Sequence, residues 1–149
     1  MKTLLPSIAL LSMALLADSI PSGWLVLKDK KNTCQIGVPG DFKPDGTFVG
    51  LGRGPGDTLE VQVFSQTSPV KPLSESVAKM MGIEKFIDNS DKRLFYVNKQ
   101  AKLTDGRMAT AWTVKVPRDG GNCFAAISVV PGGQEDLVKK IAATIGPAK

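Results

Sequence analysis

The sequence predicts a single α+β domain: an antiparallel β-sheet with two main helices, α/β/α sandwich-like, closed by one disulfide. Several short segments alternate apolar and polar residues with a period of two, which is typical of half-buried strands. The predicted elements run in the order strands, helix, antiparallel strands, helix, and this order favours α+β over a doubly wound sheet. The 149-residue chain also carries one pair of cysteines, Cys34 and Cys123.

The first half of the chain predicts three strands and one helix. Strands are expected from residue 24 to 27 and from 34 to 38, and Pro39 ends the second one. Residues 43–57 are rich in Gly, Pro and Asp and predict a loop. The third strand and the helix follow from the apolar positions Leu59, Val61 and Val63, and Leu73, Val77, Met80 and Met81.

The second half predicts a run of antiparallel strands and a closing helix. A short strand is expected at 94–97, and segments 99–103 and 108–116 flank the turn signal Asp105-Gly106. Residues 123–130 are apolar on both faces, as in a central strand. The closing helix begins at acidic residues 134–136 and buries the stripe Leu137, Val138, Ile141, Ala142 and Ile145.

The N-terminus predicts export. Lys2 precedes an almost wholly apolar stretch at residues 4–16, and small residues at 17 and 19 favour cleavage before Ile20. We therefore expect a signal peptide at 1–19, a single exported domain at 20–149, and a periplasmic or secreted location. The apolar stretch is short for a bilayer, which needs about 20 residues, so no transmembrane segment is expected after cleavage. A retained N-terminal anchor is the alternative.

Export determines how the two cysteines are interpreted. In an oxidising compartment two cysteines of a small domain usually pair. Cys34 and Cys123 also fall on the predicted inward faces of their strands. A redox-active pair or two buried thiols are the alternatives, but the chain contains no C-x-x-C motif. A structural disulfide is the prediction.

The charge balance leaves the partner open. The formal net charge is +5, which could favour anionic partners such as lipid head groups or cell-wall polymers. The basic residues are scattered and lack the interleaved aromatics of a single-strand binder, so no specific nucleic acid is expected. An ordinary solvated surface explains the same residues.

Several segments resemble the PsbP-like (Mog/PsbP) families of small sandwich domains. The resemblance lies in residues 34–42, which form a strand ending in Pro and an aromatic, in the strand pair from Asp105-Gly106-Arg107 through Trp112, and in the closing segment 141–145. It spans most of the chain as a pattern of elements. It implies a binding or accessory module beside a larger partner. The cysteine pair and the glycine-rich segment after residue 50 depart from the family pattern.

Residues 50–56 resemble a phosphate-cradling loop, since glycines let backbone N–H groups approach an anion. The fingerprint needs a helix immediately afterwards, whereas a strand is predicted here, Pro55 removes one donor, and the Walker lysine is missing. A flexible hairpin loop is therefore predicted. Arg53 is the charge that would serve any bound anion.

Catalytic residues are not predicted. Histidine is absent, which excludes Ser-His-Asp and Cys-His catalysis and the usual zinc sites. Ser76 and Lys79 match S-x-x-K, but the other motifs of those enzymes are missing. Residues 88–91 offer oxygens without the spacing of a calcium loop, and a polar turn is expected there. No metal and no cofactor are predicted.

The leading hypothesis is an exported accessory or binding domain of bacterial type that acts by surface contact, with an unknown protein or anionic ligand as partner. A groove beside the glycine-rich loop is the expected place, with Arg53, Arg107 and Trp112 as candidate binding residues. Trp112 has core packing as its alternative. Two other functions stay open: an envelope protein that binds anionic polymers or lipids through a basic surface, and a small enzyme with a Ser-Lys or carboxylate site. The oligomeric state is not predicted.

Overall fold

Ten strands and two helices form the fold in a computed structural model that describes residues 19–132 and 134–149, with only the backbone of residues 99 and 100. The predicted leader lies outside these residues, apart from Ser19. The elements are β1 Leu25–Lys28, β2 Cys34–Val38, β3 Lys43–Pro44, β4 Leu51–Arg53, β5 Leu59–Gln66, α1 Glu75–Met80, β6 Ile83–Asn89, β7 Leu94–Lys102, β8 Met108–Arg118, β9 Gly121–Val129, α2 Glu135–Ala142 and β10 Gly146–Pro147.

The strands form two antiparallel sheets. The large sheet has seven strands in the order β3-β4-β5-β9-β8-β7-β6, and the small sheet has three in the order β1-β2-β10. Ile127 of β9 pairs with Val61 on one side and with Trp112 on the other, so the apolar residues of three central strands share one face. The α+β prediction is confirmed.

The core lies between this inner face and the small sheet with α2. On α2 the apolar positions Val138, Ile141 and Ala142 are completely buried, because they repeat on the side that faces the sheet. The main members of the core are Leu27, Ile36, Val38, Leu59, Val61, Val63, Phe95, Val97, Trp112, Val114, Ala125, Ile127, Val138, Ile141 and Ile145.

The disulfide joins the two sheets. Cys34 opens β2 of the small sheet, Cys123 lies in β9 of the large sheet, and the two residues are bonded with their Cα atoms 5.5 Å apart. The predicted pairing is confirmed. It fixes the small sheet over the inner face across a sequence separation of 89 residues.

The outer face of the large sheet is only partly covered. Leu94 and Tyr96 point to this side and pack against Val70, in the segment that leads into α1. Farther along the face, Phe64 and Phe124 stack with ring centroids 4.9 Å apart and remain half-buried. The segment that leads into α1 therefore lies on the side of the large sheet opposite to α2. Among the described residues, no helix is long and apolar enough to cross a membrane.

The structure differs from the predicted elements at several places. Helix α2 ends at Ala142, so Ile145 of the predicted stripe lies beyond it. Residues 43–57 contain the short strands β3 and β4 and a 3₁₀ turn at Pro55–Asp57, where a flexible loop was expected. The segments 94–97 and 99–103 form a single strand, β7, whose register shifts between Asn98 and Ala101. Strands β6 and β10 were not predicted.

Candidate functional site

The guanidinium of Arg53 lies in a closed polar cluster. Arg53 ends β4, where its Nε donates to Glu60 Oε2 over 3.0 Å, its Nη1 pairs with Asp45, and its Nη2 donates to Thr104 Oγ1 over 3.1 Å. Glu60 also accepts from the backbone N–H and the hydroxyl of Thr104, each over 2.9 Å. All three guanidinium nitrogens therefore have partners within the protein.

The electrostatics of this cluster keep both partners ionised. Hydrogen bonds from the Arg53 side chain and from the backbone N–H groups of Phe48 and Thr47 lower the pKa of Asp45 to about 2. The pKa of Arg53 is raised, first by its hydrogen bond with Asp45. Asp45 and Arg53 are therefore both charged across the ordinary pH range, and their ion pair holds the segment around Asp45 against β4.

The other two candidate residues lie elsewhere. Arg107, in the β7–β8 hairpin, donates from Nε to Asp105 over 2.8 Å and from Nη2 to the carbonyl of Asp57. Trp112 lies on the inner face, is 5% exposed, and has its ring centroid 5.6 Å from that of Phe95. The structure brings Arg53 and Arg107 to one end of the large sheet and leaves Trp112 in the core.

Trp112 also lines a cavity of about 290 Å³ near the start of α2. Val97 and Val129 contribute apolar surface, and Lys85 and Glu135 lie on its lining. These two charges pair with each other over 3.9 Å. The lining of the cavity therefore combines apolar core residues with one ion pair, Lys85–Glu135.

The turn that joins β3 to β4, residues 45–50, carries none of the candidate residues that the sequence predicts, and it is called the 45–50 turn below. Asp45 Oδ1 accepts the backbone N–H groups of Thr47 and Phe48, each over 2.7 Å, and the N–H of Asp45 donates to the carbonyl of Leu51 over 2.8 Å. The turn ends at Gly50, which has a φ of +80°. These bonds fix the backbone of the turn.

Gly50 also allows the turn to lie close to both sheets. A Cβ at this position would come within 2.9 Å of the Val63 carbonyl in β5 and 3.2 Å of the Lys28 carbonyl in β1. A side chain would also disfavour the left-handed backbone. The glycine therefore seats the 45–50 turn against the rest of the domain.

The 45–50 turn exposes Thr47 and two large apolar side chains. Phe48 is 54% exposed and Val49 is 59% exposed. They line a groove of about 390 Å³ together with Gln62 and Phe64 of β5 and with Lys30 and Lys31. We name Phe48 and Val49 the apolar tip.

The two lysines come from a second turn, residues 29–33, which joins β1 to β2. Asp29 is 6% exposed, and its carboxylate accepts from the N–H groups of Thr33 and Cys34 over 2.7 Å and from the Ser65 hydroxyl over 2.9 Å. Burial raises the pKa of Asp29, but these hydrogen bonds outweigh burial and the net pKa is lowered. Lys30 and Lys31 are exposed beside it.

The residues considered for catalysis and for ion binding have structural surroundings. Ser76 and Lys79 are exposed on the six-residue helix α1, where the Ser76 hydroxyl lies 3.2 Å from that of Ser74. In segment 88–91, Asp88 pairs with Arg93 over 3.2 Å and the side chain of Asn89 holds the backbone of Leu73. Within the described part of the chain, no group of three or more His, Cys, Asp or Glu side chains is placed to hold a metal ion.

Comparisons with known proteins give a likeness of fold. No protein-family model matches the chain, and no curated protein matches it significantly in sequence. A crystal structure from Bacteroides thetaiotaomicron VPI-5482 matches with a TM-score of 0.51 and 14% identity. The match covers 78% of this chain and 45% of the Bacteroides chain, so the protein spans less than half of that structure.

The solution structure of cyanobacterial PsbP (CyanoP) from Synechocystis sp. PCC 6803 is also among the matches. It has a TM-score of 0.42 and 11% identity, and the match covers 85% of this chain and 94% of that chain. A PsbP is thus among the structural neighbours, at a similarity that carries no conclusion about function. Membership of the PsbP-like family stays a prediction.

Proposed function

We propose that this protein is an exported, non-catalytic accessory domain that binds its partner through the 45–50 turn. The observation that carries the proposal is the exposure of Phe48 and Val49, 54% and 59%, on a backbone fixed by Asp45. More than half of each side chain is exposed, and adjacent exposed apolar side chains are typical of contact sites. A fixed turn also loses little conformational entropy on binding.

The polar groups support a role without chemistry. The Arg53 guanidinium forms ion pairs with both Asp45 and Glu60, so its role is to stabilise the fold. Catalytic groups usually converge in a cleft. Ser76 and Lys79 are exposed on the short helix α1.

The disulfide supports export. Disulfides form and persist in oxidising compartments, and the bond between Cys34 and Cys123 ties two sheets of one domain. A leader at residues 1–19 would direct the chain to such a compartment.

A binding experiment with the source cell's envelope tests the proposal. The full chain is expressed, the N-terminus of the purified protein is determined by mass spectrometry, and the protein is incubated with membranes, cell-wall material and soluble envelope proteins. We expect at least one fraction to retain the wild type and the F48S/V49S variant to bind about tenfold more weakly. The proposal is wrong if no fraction retains the wild type or if F48S/V49S is retained equally.

The control variant is V77S/M80S. Val77 and Met80 are 38% and 85% exposed on α1, which lies beside β6 at the opposite edge of the large sheet from β3. This variant removes a comparable pair of apolar side chains and should be retained like the wild type. Both variants should keep the free energy of unfolding within about 0.5 kcal/mol of the wild-type value, because all four side chains are exposed.

A further inference from the structure

We infer that the occupant of this surface is a lipid bilayer with anionic head groups: the apolar tip enters the interface while Lys30 and Lys31 contact the head groups. The inference rests on the proposed function and names its partner. The net charge of +5 left the binding of anionic lipids open as a function, and the inference says which surface of the domain would bind them.

The position of the apolar tip favours a lipid surface over a folded partner. The 45–50 turn joins β3 and β4, the two outermost strands at one edge of the large sheet, so the exposed side chains of Phe48 and Val49 lie at this edge of the sheet. An exposed apolar tip needs a matching pocket in a rigid partner, whereas a fluid interface accommodates it. Aromatic and aliphatic side chains beside lysines are typical of interfacial attachment.

The charges around the tip complement an anionic surface. Lys30 and Lys31 are exposed along the same groove as Phe48 and Val49. The nearest carboxylate in that groove, Asp29, is 6% exposed and accepts hydrogen bonds from its own turn and from Ser65. The positive charges of the groove therefore face solvent while its negative charge faces the protein.

The aspartate of the 45–50 turn is also occupied. Asp45 pairs with Arg53 and accepts two backbone N–H groups of the 45–50 turn. An acidic polymer without apolar groups would be attracted to the lysines but would leave the apolar tip in water. An anionic bilayer takes both kinds of side chain at once.

Two apolar side chains and two lysines give weak, reversible attachment. Charges near an anionic surface contribute attraction that falls off within a Debye length, which is about 8 Å at physiological ionic strength. Binding should therefore weaken strongly between low and moderate salt. The N-terminal segment is the same in every variant, so differences between variants report on the surface described here.

Vesicle sedimentation tests the inference with purified protein. The probes are vesicles of phosphatidylcholine alone and of phosphatidylcholine mixed in equal parts with phosphatidylglycerol. We expect the wild type to bind the mixed vesicles, and F48S/V49S and K30Q/K31Q each to bind them about tenfold more weakly. Equal binding of wild type to both vesicle types, or of either variant and wild type to the mixed vesicles, would overturn the inference.

Two control variants locate the contact. V77S/M80S removes apolar side chains from α1, and K71Q/K79Q removes exposed lysines from the same edge of the domain. Both should bind the mixed vesicles like the wild type. A loss in either control as large as that in F48S/V49S would show that the contact lies elsewhere, and the inference would be wrong.

Soluble polyglutamate separates a lipid surface from an acidic macromolecule. If wild type and F48S/V49S bind polyglutamate equally and the wild type ignores mixed vesicles, the occupant is an acidic chain and the lipid inference is wrong. If the wild type does not bind mixed vesicles but its retention by an envelope fraction still depends on Phe48 and Val49, the lipid inference fails and the proposed function stands. If that dependence is also missing, both fail.

Discussion

The 29–33 turn and the 45–50 turn both begin with an aspartate whose carboxylate accepts backbone N–H groups of its own turn. The two turns line the same groove. Asp29 is buried and reaches across to Ser65 of the large sheet, whereas Asp45 pairs with Arg53 near the surface. The same hydrogen-bonding arrangement therefore has two different consequences. In the 29–33 turn it attaches the small sheet to the large sheet, and in the 45–50 turn it holds exposed apolar side chains in place.

The displayed side chains differ accordingly. The 29–33 turn directs Lys30 and Lys31 into solvent, where charged groups are well hydrated, while the 45–50 turn exposes Phe48 and Val49. Hydration explains the lysines without any partner. The apolar tip has no such explanation within the folded chain. The comparison teaches that a shared backbone device does not imply a shared role, and three stability predictions examine it.

Removal of the disulfide should have the largest effect on the free energy of unfolding. It bears on the comparison because the 29–33 turn runs directly into Cys34. The chain-entropy model gives about 4.6 kcal/mol for a loop of this length, where the sequence separation is 89 residues. We expect C34A/C123A to lose that much in the free energy of unfolding, measured by urea denaturation. Two thiols that alkylate in the native wild type before reduction would contradict the pairing.

Removal of the Asp29 carboxylate should have the next largest effect. In D29A the buried N–H of Cys34 and the partly buried N–H of Thr33 and hydroxyl of Ser65 lose their acceptor. We expect a loss of about 3 kcal/mol in the free energy of unfolding, and about 1 kcal/mol for S65A, which removes a single hydrogen bond. Equal small losses in both variants would mean that Asp29 does not organise its turn.

Acid should affect the 45–50 turn through Asp45, with the smallest effect of the three. The pKa of Asp45 is lowered from 3.8 to about 2, so its stabilisation is complete above pH 3.8 and is lost as the pH falls toward 2. D45N keeps an oxygen acceptor for the turn but removes the charge. We expect thermal unfolding of D45N to depend less on pH than that of the wild type in this range. Identical pH profiles would contradict the role of the Asp45–Arg53 pair.

The parts of the fold that could be predicted are those with regular periodicity. The alternation at Leu59, Val61 and Val63 gave β5, and the apolar stripe at Val138 and Ile141 gave α2. Strand β6 could not be predicted, because its register shifts between Ile83 and Lys85 and again between Phe86 and Asp88, and these shifts break the period of two. The two-residue strands β3 and β10 are set by pairing partners distant in sequence and carry no local pattern.

The candidate site was harder to predict than the fold. Arg53 was singled out for its charge, yet that charge is used by Asp45 and Glu60, whose proximity depends on the pairing of β4 with β5. Phe48 and Val49 were hidden in a segment whose Gly, Pro and Asp content indicated a loop. An apolar pair three residues after an aspartate, in an otherwise polar stretch, is the signal that could have revealed them.

The small sheet has a mechanical consequence. β1 and β10 flank β2, with Leu25 at the start of β1 paired to Val38 and Pro147 at the end of β10 paired to Cys34. A force that separates the two ends of the chain would pull β1 and β10 in opposite directions along the strand axis. Hydrogen bonds of antiparallel strands lie perpendicular to that axis, so each ladder would be loaded in shear and its bonds would share the force. The domain is built to resist being drawn out from its ends.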